Sequence, residues 1–200
     1  MRVLIACEFS GIVREAFTKK GHDAWSCDIL PCEIPGNHIQ DDVLNHLNKN
    51  WDLLIAHPPC TYLSVAGAGW INRRPERKQQ MVIAANFFKK LLDAPIEKIC
   101  IENPLIYLDA IKIIGKKYNQ IIEPYHFGES YKKRTCLWLK NLPELKPTKI
   151  VEPHTYWVNS SSNYRKGKKL SNKGIHRSKK ERSRTFKGIA DAMAEQWGGN

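Results

Sequence analysis

A chain of 200 residues fits one domain of ordinary size and is long enough to bury a real core. With 42% hydrophobic and 10% aromatic residues it reads as globular rather than disordered. Its longest early apolar run, Val3 to Cys7, is too short for a signal peptide or a membrane span.

Six cysteines without a secretory segment point to reduced thiols and a cytoplasmic protein. The formal charge of +12 is uneven: residues 146–187 hold 13 Lys/Arg and 2 Asp/Glu, of 32 and 20 in the chain. Charge so concentrated favours a polyanion through counterion release. Tyr156, Trp157 and Tyr164 among these charges offer rings for base stacking, so DNA is the expected partner of segment 146–187.

In chain order, short apolar runs alternate with amphipathic stretches, the pattern of an α/β protein with a mostly parallel sheet and flanking helices. Arg2–Cys7 reads as a buried strand. Ser10-Gly11 then opens a helix through Phe17, with Ile12, Val13, Ala16 and Phe17 on one face, and Gly21 stops it. His22–Cys27 is a second strand ending at Asp28, and Trp51–Ala56 is another running into His57-Pro58-Pro59-Cys60. Residues 75–92 suit a long helix, and Lys98–Ile101 is a strand ending at Glu102-Asn103-Pro104. Thr135–Leu139 reads as a later strand, residues 159–184 as a polar loop, and Arg184–Trp197 as a closing helix. Phe9, Asp28, Cys60 and Glu102 thus follow successive strands, where open α/β sheets bind their ligands.

The two prolines before Cys60 stiffen its loop and hold the thiol in place. Glu102 brings a carboxyl group to the end of a neighbouring strand, and Arg134 offers a planar five-donor cation beside another. Thiol, carboxyl and guanidinium suit attack on an electron-poor ring. The sulfur adds to C6 of a pyrimidine, the carboxylic acid serves N3, and Arg134 polarises O2. Cys7, Cys100 and Cys136 fall within strand patterns and read as core. Cys27, Cys32, His38 and His46 are separated by four, five and seven residues, unlike paired zinc ligands, so no metal is expected.

The order Glu8-Phe9-Ser10-Gly11, Pro58-Pro59-Cys60, Glu102-Asn103-Pro104, Phe127-Gly128 and Lys133-Arg134 resembles the DNA cytosine-5 methyltransferases, close to short members encoded in phage and prophage genomes. The resemblance implies a Rossmann-like methyltransferase domain over residues 1–200, with a basic loop at about 146–185 where the family carries a target-recognition domain. It implies S-adenosyl-L-methionine as cofactor, held by Phe9, Ser10, Gly11, Asp28, Ile29, Asp42, Val43 and Pro58. It further implies Cys60, Glu102 and Arg134 as catalytic residues, in the cytoplasm of a bacterial host cell. Val13, Thr61 and Pro104 depart from the family pattern.

Other readings remain open on the sequence. The Pro-Pro dipeptide also resembles the motif of exocyclic-amino methyltransferases, although His57 and Cys60 fit that chemistry poorly. RNA or a free nucleotide could replace DNA. A degenerate fold serving only as a nucleic-acid-binding or regulatory protein would keep the architecture without the activity.

Overall fold

The computed structural model describes residues 1–70, 74–157, 164–165, 168–169 and 178–199. Among them one sheet contains β1 (Arg2–Ala6), β2 (Asp23–Asp28), β3 (His38–Gln40), β4 (Leu53–Ala56), β5 (Lys98–Asn103), β6 (Gln120–Ile122) and β7 (Thr135–Lys140). The strand order is β3-β2-β1-β4-β5-β7-β6. The pairs β1–β2, β1–β4, β2–β3 and β4–β5 are parallel, and β7 runs antiparallel to both β5 and β6. The helices are α1 (Ile12–Lys19), α2 (Pro75–Leu92), α3 (Leu108–Ile114), α4 (Lys179–Ser183) and α5 (Lys187–Trp197).

The strands read as continuous apolar runs because both faces of the sheet are covered. Val3, Leu4, Ile5 and Ala6 are fully buried. Leu4 and Ala6 pack with Met81, Phe88, Ala110 and Ile114 of α2 and α3, whereas Val3 and Ile5 pack with Val13, Phe17, Ile189 and Met193 of α1 and α5. The period of two along β1 therefore feeds both layers, each Val, Leu or Ile contributing about 1.5–3 kcal/mol on burial.

Helix α2 starts with Pro75 at its first turn and buries Met81, Ala85, Phe88, Leu91 and Leu92, a spacing that keeps one face on the sheet. Its bounds coincide with those expected from the sequence. Three-residue β3 and β6 and the short α3 give too little periodicity to be found that way. The closing helix begins at Lys187 rather than Arg184, because Arg184 and Phe186 hold extended backbone.

The order in which strands are added switches sides between parallel β1 and β4, the point at which open α/β sheets form a ligand crevice outside the carboxyl ends of their strands. Among the described residues no helix is long and apolar enough to cross a membrane. The loop expected over 159–184 lies largely outside the described residues. Of it, Tyr164–Arg165 pairs antiparallel with Lys168–Lys169, and α4 occupies its end.

Candidate active site

One wall of the crevice is the loop from β1 into α1. Cys7 lies just past the strand with φ 58°, so it marks the turn and is half-buried rather than a core residue. Glu8 follows, and its carboxyl accepts from the backbone N–H of Val13 at 2.7 Å and of Arg14 at 3.2 Å. Two orphan donors of the α1 N-terminus are thereby satisfied from outside the helix. Ser10 Oγ donates to Glu8 Oε1 at 3.2 Å. Burial pushes the Glu8 carboxyl above its ordinary value, although the His57 charge and these hydrogen bonds pull the other way. Gly11 takes φ 72°, and a Cβ there would lie 2.6 Å from Ile34 Cγ1.

The second wall follows β2. Arg14, fully buried, donates to Ser26 Oγ at 3.2 Å, Ile34 O at 3.3 Å and Pro35 O at 2.7 Å, and its guanidinium lies 3.1 Å from Glu15. This buried side chain thus shapes the loop after Asp28. Asp28 Oδ1 accepts from Leu30 N–H at 2.9 Å, and Ile29 is 73% exposed beside it. Asp42 accepts from Leu44 N–H at 3.0 Å, and Val43 is buried. Burial pushes the Cys7 thiol up, and the Asp28 and Asp42 charges add to this. Two carboxylates, an exposed apolar side chain and the turn at Gly11 around one crevice fit the hydroxyls, ring and charged end of a nucleoside-linked amino acid.

The third wall carries the thiol. Cys60 is exposed after the two prolines, and its carbonyl accepts from Leu63 and Ser64 N–H at 3.1 and 3.0 Å. Asn103 Nδ2 donates to Pro58 O at 2.8 Å and ties this loop to the end of β5. On the same strand Glu102 keeps only 12% of its side chain exposed and accepts from His57 Nδ1 at 3.0 Å. Burial pushes the Glu102 carboxyl up, but the His57 hydrogen bond, the Lys133 charge and the Thr135 hydroxyl outweigh it and hold it below its ordinary value. Withdrawal of water pushes the Cys60 thiol up and the Glu102 charge adds to this, while Lys133 and Arg182 pull it back only partly. At rest the corner therefore contains a protonated thiol beside an ionised carboxylate.

Of the three expected catalytic residues, Cys60 and Glu102 come together and Arg134 does not. Arg134 is exposed at the start of β7, and its charge acts on Cys136 behind the strand. The pleat turns Lys133 and Thr135 towards Glu102 and Arg134 away, so the cations that bear on Cys60 are Lys133 and Arg182. Alternation counted back from the buried strand could have singled out Lys133. Nothing local could have singled out Arg182, which arrives from the far end of the chain. Lys133 Nζ donates to Arg182 O at 3.1 Å, and Thr185 Oγ1 lies 3.5 Å from His57 Nδ1.

The same late segment also reaches the first two walls. Arg184 makes a two-pronged pair with Glu33 at 2.8 and 2.9 Å, Lys180 joins it at 2.9 Å, and Lys180 Nζ lies 5.3 Å from the Phe9 ring centroid. Trp157, expected to stack on bases, packs edge-on against Tyr131 and Phe186 with centroids 4.7 and 4.6 Å away. The side chains of Tyr156 and Tyr164, and residues 158–163, 166–167 and 170–177 of the basic segment, lie outside the described residues.

Neither a protein-family model nor a curated protein matches the chain. Among solved structures it is similar to a protein described as a DNA modification methyltransferase encoded within an E. coli prophage, at 15% identity and a TM-score of 0.48, over 78% of this chain and 53% of that one. It is also similar to a triple mutant of Spodoptera frugiperda DNMT2, at 16% identity and a TM-score of 0.43, over 76% of this chain and 57% of that one. The chain spans little more than half the length of these structures. The expected fold class, a Rossmann-like α/β domain with a mostly parallel sheet and flanking helices, is the one observed.

Proposed function

We propose that the protein transfers a methyl group from S-adenosyl-L-methionine to C5 of cytosine in DNA through a covalent bond between Cys60 and C6. The observation that carries this reading is the convergence of Cys60 and Glu102 at the ends of adjacent parallel strands, with the charge of one acting on the other. The cofactor, when bound, supplies an electrophilic methyl group. Phe9, Ser10, Gly11, Asp28, Ile29, Asp42, Val43 and Pro58 are the residues that would hold it beside the thiol.

In this reading the Cys60 S–H bond breaks and its proton passes to the Glu102 carboxylate. The sulfur then forms a bond to C6 while Glu102 gives that proton to N3, and the electrons of the C5–C6 double bond become available at C5. Loss of the C5 proton after methylation restores the double bond and expels the thiolate. Lys133 and Arg182 take the place assigned to Arg134, favouring the thiolate and charge on the ring oxygen. DNA is favoured as substrate by the basic excess of segment 146–187 and by the Arg182 charge that acts on Cys60. A soluble site of this kind, working on DNA, suits the cytoplasm of a bacterial host cell.

Incubation with labelled S-adenosyl-L-methionine and DNA, wild type beside Cys60→Ala, tests the reading. The expected result is label in 5-methylcytosine with the wild type alone, and a trapped covalent complex on duplexes containing 5-fluorocytosine. Label on an exocyclic amine, or full activity of Cys60→Ala, overturns it. Calorimetric absence of cofactor binding would instead favour a degenerate binding protein.

A further inference from the structure

The pair formed by His57 and Glu102 belongs to neither the cofactor wall nor the nucleophile itself. His57 sits one residue past β4, and its backbone N–H donates to Ala6 O at 2.9 Å, which anchors the ring at the switch between β1 and β4. Only 7% of its side chain is exposed. A carboxylate can only accept, so the 3.0 Å contact makes Nδ1 the donor to Glu102 Oε2. The other ring nitrogen, Nε2, is buried and has no hydrogen-bond partner among the described residues. A buried ring nitrogen left unpaired carries a desolvation cost in either protonation state, which a purely structural histidine would avoid.

The groups around the ring come from every neighbouring element. Glu8, past β1, feels the His57 charge, and Glu102 lies on β5. Lys133, before β7, acts on Glu102, and Thr185, before α5, lies 3.5 Å from Nδ1. Cys60 shares the loop, and Arg182 of α4 acts on it. One carboxylate thus bonds the imidazole, and a second, Glu8, feels its charge.

We propose that His57 positions Glu102 and forms with it a pair that holds the proton travelling between Cys60 sulfur and N3 of the target base. This deepens, and rests on, the cytosine-C5 reading. The step balances within the site. The S–H bond breaks and its proton enters the pair. The S–C6 bond then forms as the pair gives a proton to N3. On breakdown of the adduct, the N3 proton returns to the pair and the C5 proton leaves to solvent. The ring supplies the capacity that an ionised Glu102 lacks alone: it keeps the carboxyl oriented through Nδ1 and stores the proton until the base arrives.

The decisive variant is His57→Asn, whose amide N–H can replace the Nδ1 donor but cannot take up a proton. Expected are cofactor affinity by calorimetry and KM for DNA within about threefold of wild type, with kcat at pH 7.5 lower by about tenfold or more. The deficit should narrow as pH falls from 7.5 to 5.5, because the small protonated fraction of Glu102 that solvent supplies grows about tenfold per pH unit although the carboxyl stays mostly ionised. Wild-type kcat across the whole range, a deficit equal at every pH, or an effect confined to KM overturns the proposal. Should His57→Asn not fold, His57→Gln is read in the same way.

A second measurement needs no turnover. The proton NMR spectrum should contain a downfield ring N–H resonance of His57 that disappears in Glu102→Gln. Its absence from the wild type overturns the pairing. Its presence in a protein that methylates no cytosine preserves the pair and refutes the reaction.

Discussion

The wall proposed to hold the cofactor and the corner around Cys60 lie at the carboxyl ends of one sheet but are assembled differently. The former is drawn from residues 7–14, 28–36 and 41–44, each group a short stretch held by nearby backbone bonds and by buried Arg14. The latter gathers His57 and Cys60, Glu102, Lys133 and Arg182 from four places along the chain, tied by Asn103 to Pro58 and by Lys133 to the carbonyl of Arg182. The local wall needs β1, α1, β2 and the turn after β3, and its Glu33 reaches the late segment through Arg184 and Lys180. The corner exists only when β5, β7 and the late segment have docked, so distant changes reach it more readily.

Substitutions can separate the two regions. Glu102→Gln should leave cofactor binding within about twofold and lower methyl transfer on the order of 10²–10⁴-fold, measured by label incorporation at saturating cofactor. Equal losses in both quantities would mean that the regions are not independent.

Gly188→Ala should damage both at once. A Cβ there would lie 1.9 Å from Phe127 O, a backbone atom that cannot simply turn aside, and α5 packs beneath α1. A stability loss of about 2–3 kcal/mol in urea unfolding is expected. A loss confined to the nucleophile corner would break the comparison.

Asp28→Ala should act on the cofactor wall alone. Loss of a charged acceptor for the ligand predicts about tenfold weaker cofactor binding by calorimetry, with kcat little changed at saturation.

The smallest effects concern the thiol. Because the Glu102 charge raises the Cys60 value and Lys133 lowers it, the sign of each change is fixed. At pH 8, Glu102→Gln should alkylate Cys60 a few-fold faster with iodoacetamide, since its thiolate fraction rises. Lys133→Met should alkylate it a few-fold slower, and Arg134→Ala at an unchanged rate. Slowing by Arg134→Ala equal to that by Lys133→Met would restore Arg134 to the corner.

Much of the molecule was legible without coordinates because burial on both faces of a parallel strand writes an unbroken apolar run. β1, β4, β5, α2 and the placement of Cys60 after its strand follow from that pattern and from proline's restrictions at Pro58 and Pro59, whereas β5 runs two residues further than the apolar run and carries Glu102 within it. The amphipathic reading of α1 was right about Val13 and Phe17 and blind to Arg14, whose partners lie on the loop at residues 26–35.

What tertiary structure alone decided is which polar side chains meet. Sequence chose Arg134 over Lys133 from the chemistry of the guanidinium, but the pleat of β7 turned the lysine inward. It treated His57 as part of a motif, whereas the pairing of β4 with β5 brought its ring to Glu102. It treated the basic run as one surface, whereas docking of the late segment set Arg182 towards Cys60 and committed Arg184 to Glu33. Apolar pattern is a property of each segment and survives in one dimension. The pairing of charges depends on distances between segments, which exist only once the sheet has closed around its crevice.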